Sequence, residues 1–181
     1  MTPPGVQRRL AAILSADAKG YSRLMGKDEV ATVRTLTAYR EVMAVLIRER
    51  RGRVVDAPGD NVLAEFASVV DAVECAVELQ REFKSRNAEL PALRRLEFRI
   101  GINLGDVIVE GERIYGDGVN IAARVEGLAE PGGVSCSRRI PISWPPTPFW
   151  RFSTTSGASP RRRDPRGRPP GSSARRPPWR A

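Results

Sequence analysis

Two acidic residues in the first third of the chain lie where a carboxylate could bind a cation. Asp60 belongs to the turn Pro58 to Asn61, between the β-branched pair Val54-Val55 and the apolar stretch Val62 to Phe66. An Asp on such a turn more commonly bonds its own backbone than a metal. Asp17 follows an apolar stretch and is equally well explained as a cap or turn residue. Each acid therefore has a structural and a metal-binding interpretation.

Two other segments could bind an anion. Gly20, followed by Tyr21 and Ser22, precedes a predicted helix whose free N–H groups could receive a phosphate. Asn120 and Arg124 are four residues apart on another predicted helix, so their side chains project within about 6 Å of each other. Such a pair could clamp a hydroxyl group and a phosphate. A simple turn and an exposed polar helix surface explain these residues as well.

Composition narrows the chemistry further. The chain contains no His, which excludes His-based triads and most transition-metal sites. Carboxylates would have to hold any metal, and they favour hard cations such as Mg²⁺ or Mn²⁺. Cys75 and Cys136 lack metal-ligand spacing, and we expect both to be reduced and buried, as in a cytoplasmic protein.

The positive charge is concentrated near the C-terminus. Residues 138–181 hold 11 of the 30 basic residues and one of the 21 acidic residues, so residues 1–137 are close to neutral. Binding of nucleic acid through this basic segment is the least favoured hypothesis, because no strand is rich in base-stacking aromatics. No apolar run approaches the length that spans a membrane.

Hydrophobic periodicity predicts the elements that position these residues. A strict alternation from Leu96 to Leu104 predicts a strand buried on one face, and Gly105-Asp106 predicts a turn into a second strand, 106 to 110. The first long helix should bury Val33, Leu36, Tyr39, Met43 and Leu46, and the last should bury Val119, Ala122 and Ala123. The full predicted order is strand Arg8 to Ala16, helix Asp28 to Arg51, hairpin Arg53 to Phe66, helix Ser68 to about Asn87, the strand pair, a helix opened by Gly116 and Gly118, and strand Val134 to Ser137.

The two ends of the chain differ from the rest in amino-acid composition and periodicity. Residues 1–7 are predicted to be a flexible lead. Ten of the 15 prolines fall in 141–181, with Arg, Ser and Gly and no hydrophobic period. Such a composition cannot bury enough surface to order itself, so residues 140–181 are predicted to be disordered.

This order of elements fits a ferredoxin-like α/β plait. Within it, four motifs follow one another: SADAKGYSRLM at 15–25, PGDNVLAEF at 58–66, FRIGINLGDV at 98–107 and IYGDGVNIAARVEGLAEPGG at 114–133. Each is weak alone, but in this order and spacing they are specific. The chain resembles the catalytic domain of bacterial class III adenylate and guanylate cyclases over residues 8–139.

The resemblance implies a two-metal reaction in which the 3′ hydroxyl of a nucleoside triphosphate attacks its own α-phosphorus and pyrophosphate leaves. Asp17 and Asp60 would bind two divalent cations, Mg²⁺ or Mn²⁺, with the Ala18 carbonyl helping. The backbone of Gly20, Tyr21 and Ser22 would face the polyphosphate.

The resemblance also implies a second chain. In this family one chain gives the aspartates and the other gives an Asn and an Arg, which correspond to Asn120 and Arg124. Asn120 would orient the ribose, and Arg124 would stabilise charge on the α-phosphoryl group in the transition state. The chain is therefore expected to form a homodimer.

The base-recognition positions depart from the adenylate cyclase pattern. Where those enzymes have a Lys and an Asp or Thr that read adenine, this chain has Asp56 and Arg113. Guanylate cyclases also place a carboxylate at the first position, so the expected substrate is ATP, with GTP as the alternative. Asp56 and Arg113 could also pair with each other.

A second departure follows Arg139, where the family pattern continues with further strands and a phosphate-binding Lys. The last Lys of this chain is Lys84, and the Pro/Arg-rich texture is what a reading-frame change in a GC-rich gene produces. Two hypotheses follow: an active dimeric cyclase in intracellular signalling, or a non-catalytic domain for dimerisation or nucleotide sensing.

Overall fold

The computed structural model describes residues 7–137, and every structural statement below concerns that range. The order of elements confirms the α/β plait. Six strands and four helices follow one another as β1 (Gln7–Lys19), α1 (Tyr21–Met25), α2 (Glu29–Glu49), β2 (Gly52–Asp56), β3 (Asn61–Phe66), α3 (Val69–Glu89), β4 (Glu97–Glu110), β5 (Arg113–Tyr115), α4 (Asp117–Glu126) and β6 (Val134–Cys136).

The strands form one sheet in the order β2-β3-β1-β4-β5. β1 lies at the centre, antiparallel to β3 on one side and to β4 on the other. Because β1 occupies one edge of β4 almost from end to end, β5 and β6 share the opposite edge. β5 is antiparallel to residues 108–110, whereas β6 is parallel to residues 100–102.

Helices cover both faces of the sheet. The larger core lies between one face and helices α2 and α3, and three of its rings pack together: the centroid of Tyr39 is 5.0 Å from that of Phe83 and 5.7 Å from that of Phe98. A smaller core, which includes Ile13, Val107 and Ala122, lies on the α4 side. The central strand that carries Asp17 is therefore covered on both faces.

The two long helices begin where the sequence predicts. The Asp28 side chain accepts a hydrogen bond of 3.0 Å from the Ala31 amide, and the Ser68 hydroxyl accepts one of 3.4 Å from the Asp71 amide. Such caps satisfy N–H groups that the helix itself leaves free. In α2, Leu36, Tyr39 and Met43 are buried as predicted, whereas Val33 is 44% exposed, and Thr32 and Ile47 complete the buried face in place of Val33 and Leu46.

The predicted turn at Gly105-Asp106 is wrong. β4 runs without a break through these residues, which pair with Ala11 and Leu10 of β1. The long central strand supplies partners along this whole length, so ladder pairing outweighs the local turn preference of Gly-Asp. The chain reverses instead at Gly111, whose φ of 61° suits a tight hairpin.

Burial around β4 also differs from the prediction. Gly101 and Asn103 are buried together with Ile100 and Ile102, so the middle of the strand is covered on both faces. The reason is α4, which packs against the face that the alternation assigned to solvent. On α4, Ala122 is buried as predicted, but the exposed Ala123 is not part of its buried face, which includes Gly118, Val125 and Glu126.

Cys75 and Cys136 are free and buried, as expected, and burial raises the pKa of each thiol to about 12. None of the helices within residues 7–137 combines the length and apolar character needed to cross a bilayer. The predicted flexible lead, apart from Gln7, and the predicted disordered tail lie outside the described residues.

Candidate active site

The strand register brings the two predicted metal ligands together. Asp17 near the end of β1 is the cross-strand partner of Asn61, the first residue of β3. Asp60 precedes Asn61 and ends the turn between β2 and β3, which Gly59 enters with a φ of 57°. Two acids that are 43 residues apart in the sequence thus face the same small volume.

Asp17 and Asp60 are close enough to interact electrostatically. The pKa of Asp60 is raised, first because the carboxyl group is partly buried, and then because of the negative charge of Asp17 and a hydrogen bond with its side chain. A hydrogen bond from the Asp60 backbone and the positive charge of Arg40 act in the opposite direction. Two carboxylates in such proximity repel unless a proton or a cation lies between them.

Arg99 is a site residue that the sequence reasoning missed. It lies on β4 as the cross-strand partner of Asp17, and its Nη2 is 2.6 Å from Asp17 Oδ2. Both side chains are about a quarter exposed. The available signal was the alternation of β4, in which Arg99 shares the face of Gly101 and Asn103 and so, in an antiparallel pair, the face of Asp17.

A buried glutamate on α4 joins the same network. Glu126 Oε2 accepts a hydrogen bond of 2.9 Å from the Ser15 hydroxyl, and Glu126 Oε1 lies 3.4 Å from Arg99 Nη2. The Asn61 amide reaches both Ser15 and Glu126, at 3.3 Å and 3.4 Å. The pKa of Glu126 is raised, mainly by burial and secondarily by the charges of Asp17 and Asp60, while Ser15 and Arg99 lower it. The sequence reasoning did not identify this residue either.

Asn120 and Arg124 lie apart from the acids. Both are exposed, whereas Ala122 and Glu126 of the same helix are buried against the sheet. Residues two positions apart on a helix differ by about 200° in direction, so Asn120 and Arg124 point away from the strands that carry Asp17. One chain therefore does not bring the Asn and Arg to its own pair of acids.

The predicted phosphate-binding segment follows β1 directly. Gly20 adopts a φ of 76° and its carbonyl accepts hydrogen bonds from Arg23 and Leu24, which forms the single-turn α1. Tyr21 is partly buried and Ser22 is exposed. The β1–β3 pairing ends at Asp17, so Ala18 lies beyond the last residue paired with β3 but still pairs with Phe98 of β4.

Asp56 and Arg113 are both exposed, and among the described residues the structure has no ion pair between them. The Asp56 carboxylate instead accepts a hydrogen bond of 2.8 Å from the Ala57 amide. The two strands that carry them are connected by Arg53, whose Nη1 donates to the Glu112 carbonyl at 2.8 Å. The hypothesis that Asp56 and Arg113 pair with each other is not supported.

The residues at the site fit hard divalent cations. Within residues 7–137 no group of three or more His, Cys, Asp or Glu side chains forms a metal cluster, so protein carboxylates alone would not complete a coordination shell. Two acids that repel each other suit a cation such as Mg²⁺, which is commonly held by one or two carboxylates plus phosphates.

Comparisons with known proteins identify the family of the chain. The family model of the adenylate and guanylate cyclase catalytic domain matches residues 7–142. The chain is 51% identical over 141 residues to putative adenylate cyclase 3 of Rhizobium meliloti, covering 77% of this chain and 24% of that protein. An adenylate cyclase of Streptomyces coelicolor is 32% identical over 130 residues, which is 71% of this chain and 32% of the relative.

Solved structures match as well. An adenylate/guanylate cyclase/hydrolase from Silicibacter pomeroyi superposes with a TM-score of 0.67 at 41% identity, over 72% of this chain and 76% of that one. The guanylyl cyclase Cya2 gives a TM-score of 0.64 at 28% identity, over 72% and 75% of the two chains.

The chain belongs to the adenylate and guanylate cyclase family, and residues 7–142 correspond to its catalytic domain. It spans about a quarter of the length of the Rhizobium meliloti relative. Cyclase domains that make either cyclic nucleotide share this fold, so the substrate has to be argued from individual side chains.

Proposed function

We propose that this domain converts ATP to cyclic AMP and pyrophosphate in a dimer with two composite sites. The observation that carries the proposal is the proximity of Asp17 and Asp60, which follows from the pairing of Asp17 with Asn61 across β1 and β3, in a chain of the cyclase family. The repulsion between two partly buried carboxylates makes a divalent cation a favourable partner for both.

Asp17 and Asp60 would hold two Mg²⁺ or Mn²⁺ ions, with the Ala18 carbonyl as a further ligand. Such ions activate the attacking 3′ oxygen and stabilise charge on the leaving pyrophosphate. In the absence of cations Arg99 neutralises Asp17, and Glu126, 3.4 Å away, offers the guanidinium a second acceptor when Asp17 is occupied. Gly20, Tyr21 and Ser22, immediately after β1, would contact the polyphosphate.

Asn120 and Arg124 are exposed, which supports the proposal that they complete the site of a second copy of the chain. An Asn that hydrogen bonds the ribose and an Arg that contacts the equatorial phosphoryl oxygens would complete what each pair of acids lacks. In a two-fold homodimer each chain lends these residues to its partner, which gives two equivalent sites.

Asp56 and Arg113 are proposed to contact the base. Both side chains are exposed and no ion pair joins them in the described range, so they can reach a ligand, although one Asp56 oxygen accepts a hydrogen bond from the Ala57 amide. ATP is the proposed substrate because the Streptomyces coelicolor relative, which is 32% identical, is an adenylate cyclase. A carboxylate can also accept hydrogen bonds from guanine N–H groups, so GTP is the alternative.

The direct test is incubation of the purified full chain with Mn²⁺ and either ATP or GTP, followed by chromatography of the products. We expect cyclic AMP from the wild-type chain and none from Asp17→Asn, while the variant of exposed Asp106, Asp106→Asn, retains activity. If cyclic GMP is the only product, the substrate is GTP and not ATP.

A non-catalytic nucleotide-sensing domain is the second candidate, and the Arg99–Asp17 ion pair favours it, because this pair already supplies one carboxylate with a positive charge. Saturable binding of ATP without any cyclic product from wild type would support that function and contradict catalysis.

A further inference from the structure

The turn that presents Asp60 is held from outside by an arginine of α2. Arg40 Nη2 donates a hydrogen bond of 2.8 Å to the Ala57 carbonyl, contacts the Gly59 carbonyl at still closer range, and lies 3.4 Å from the Asn61 carbonyl. The amino group carries two hydrogens, so the two shorter contacts are its hydrogen bonds and Asn61 is a weaker third neighbour. One guanidinium nitrogen thus makes its two hydrogen bonds just before Asp60 and a weaker contact just after it.

The turn has few other constraints of its own. Its internal backbone bond runs from the Asn61 amide to the Pro58 carbonyl at 3.0 Å. An added Cβ at Gly59 would meet no atom within 4 Å, so no packed neighbour restrains the tip. The Gly59 carbonyl lies in an exposed turn, where water or a side chain can act as its hydrogen-bond donor. Arg40 supplies that donor.

Arg40 is itself fixed by the core. The residue before it, Tyr39, is 2% exposed, and Met43 on the next turn of α2 is 1% exposed. The Arg40 Nε is buried, with no hydrogen-bond partner within the described part of the chain. The guanidinium therefore projects from a rigid helix, and it has lost water on one side in order to reach the turn.

We propose that Arg40 is a positioning residue for the metal site: by fixing the carbonyls of Ala57 and Gly59 it sets the position of Asp60 relative to Asp17. The link to metal rests on the proposed function. The interaction of Arg40 with the turn, called the clamp below, rests on its contacts with the carbonyls alone. Residues that orient metal ligands from behind commonly change metal affinity by about 10–100-fold when they are removed.

The test compares Arg40→Gln, Arg40→Lys and the control Arg34→Gln in the full chain. Arg34 is an exposed residue of the same helix, so its variant reports the general cost of losing an α2 arginine. Lys keeps the charge and one donor group but cannot present a planar amino group to two carbonyls in the same way. Even if Arg40→Gln is too unstable to purify, Arg40→Lys retains the charge and still tests the geometry.

The first readout is hydrogen exchange at the Asn61 amide, which reports the turn without metal or nucleotide. We expect faster exchange in Arg40→Gln than in Arg40→Lys, and wild-type exchange in Arg34→Gln. Unchanged exchange in both Arg40 variants would overturn the clamp, whatever the activity of the protein.

The second readout is Mn²⁺ binding, measured by electron paramagnetic resonance. The measurement is made in the presence of 3′-deoxy-ATP, which lacks the attacking hydroxyl. We expect the dissociation constant of Mn²⁺ to rise by about tenfold or more in Arg40→Gln. In turnover, the Mn²⁺ concentration for half-maximal rate should rise while kcat at saturating Mn²⁺ changes little. Wild-type Mn²⁺ affinity in a variant with a loosened turn would overturn the metal role and leave the proposed cyclase activity intact. If the wild type itself binds no Mn²⁺, the proposed function fails and the metal role of Arg40 fails with it, while the exchange result still decides the clamp.

Discussion

Arg99 Nη2 and Asp17 Oδ2 are 2.6 Å apart, across the pairing of β4 with the central strand β1. The side chain that the family motif identifies as a metal ligand is therefore neutralised by a residue of its own chain. Under the proposed function, a divalent cation would compete with this guanidinium for the same carboxylate, and Glu126 provides the guanidinium with another acceptor. This competition determines how the metal-free protein should respond to mutation and to pH.

Replacing Arg99 should lower the stability of the metal-free domain and increase the stabilisation that added Mn²⁺ provides. Arg99→Gln removes a charged hydrogen bond, at a cost of about 1.5–3 kcal/mol in the free energy of unfolding. It also leaves Asp17 without its ion-pair partner, so Mn²⁺ should raise the melting temperature by more than it does in wild type. Differential scanning fluorimetry with and without Mn²⁺ measures both effects.

Arg86→Gln is the control, because Arg86 pairs with Glu82 at 2.7 Å on the exposed surface of α3. Such pairs contribute about 0–1 kcal/mol. If Arg99→Gln and Arg86→Gln show the same Mn²⁺ response, Arg99 does not compete with metal.

Asp60 should make stability depend on pH in a defined direction. Its pKa is raised from 3.8, first by burial and then by Asp17. A carboxyl group with a raised folded-state pKa contributes stability below its unfolded pKa, and that contribution is lost as pH rises through the folded value. Without divalent cations, Asp60→Asn should therefore gain stability relative to wild type as pH rises from about 4 to 7. Urea unfolding at several pH values measures this difference.

Added Mn²⁺ should reverse the order, because the cation needs the ionised carboxylate that the variant lacks. Asp106→Asn, at an exposed residue of β4, should show neither effect. A constant difference between Asp60→Asn and wild type across the whole pH range would contradict the assigned environment of Asp60.

At Gly101 the backbone of α4 packs directly against β4. A Cβ there would overlap the Glu126 amide nitrogen and the Ala122 carbonyl oxygen, and it would lie 2.6 Å from the Glu126 Cα. All three are backbone atoms, so no side-chain rotation relieves the clash. Gly101→Ala should cost about 3 kcal/mol or more and displace Glu126 from Ser15.

Gly127→Ala is the matched control, because Gly127 has a φ of −58° and a Cβ there would lie 3.5 Å from the nearest atom, the Arg124 carbonyl oxygen. Chemical denaturation of both variants compares them directly. Equal stability of Gly101→Ala and Gly127→Ala would mean that α4 does not rest on β4 as described.

The sequence predicted the fold because most of its elements carry consistent local signals, such as the Asp28 and Ser68 caps and the alternation of β4. It failed at Gly105-Asp106, where pairing with a long neighbouring strand outweighs local turn preference. It also missed that α4 covers β4, because strand periodicity does not reveal what packs on the second face.

For the candidate site, the family motifs pointed to Asp17 and Asp60 but not to their partners. Arg99 and Glu126 join them only through cross-strand register and helix packing, and these depend on residues far away in the sequence. Arg40 had no local signal at all, since it reaches the turn from a helix that the sequence assigned only to the core.

The most direct test of the central claim, a site shared between two chains, is complementation of Asp17→Asn by Arg124→Ala. Each variant alone should be inactive, because every site in its homodimer lacks one essential group. In an equal mixture that exchanges subunits, half of the dimers are heterodimers and each has one complete site, which predicts about one quarter of wild-type cyclic nucleotide formation. A mixture that stays as inactive as its components, although heterodimers are present, would contradict the account.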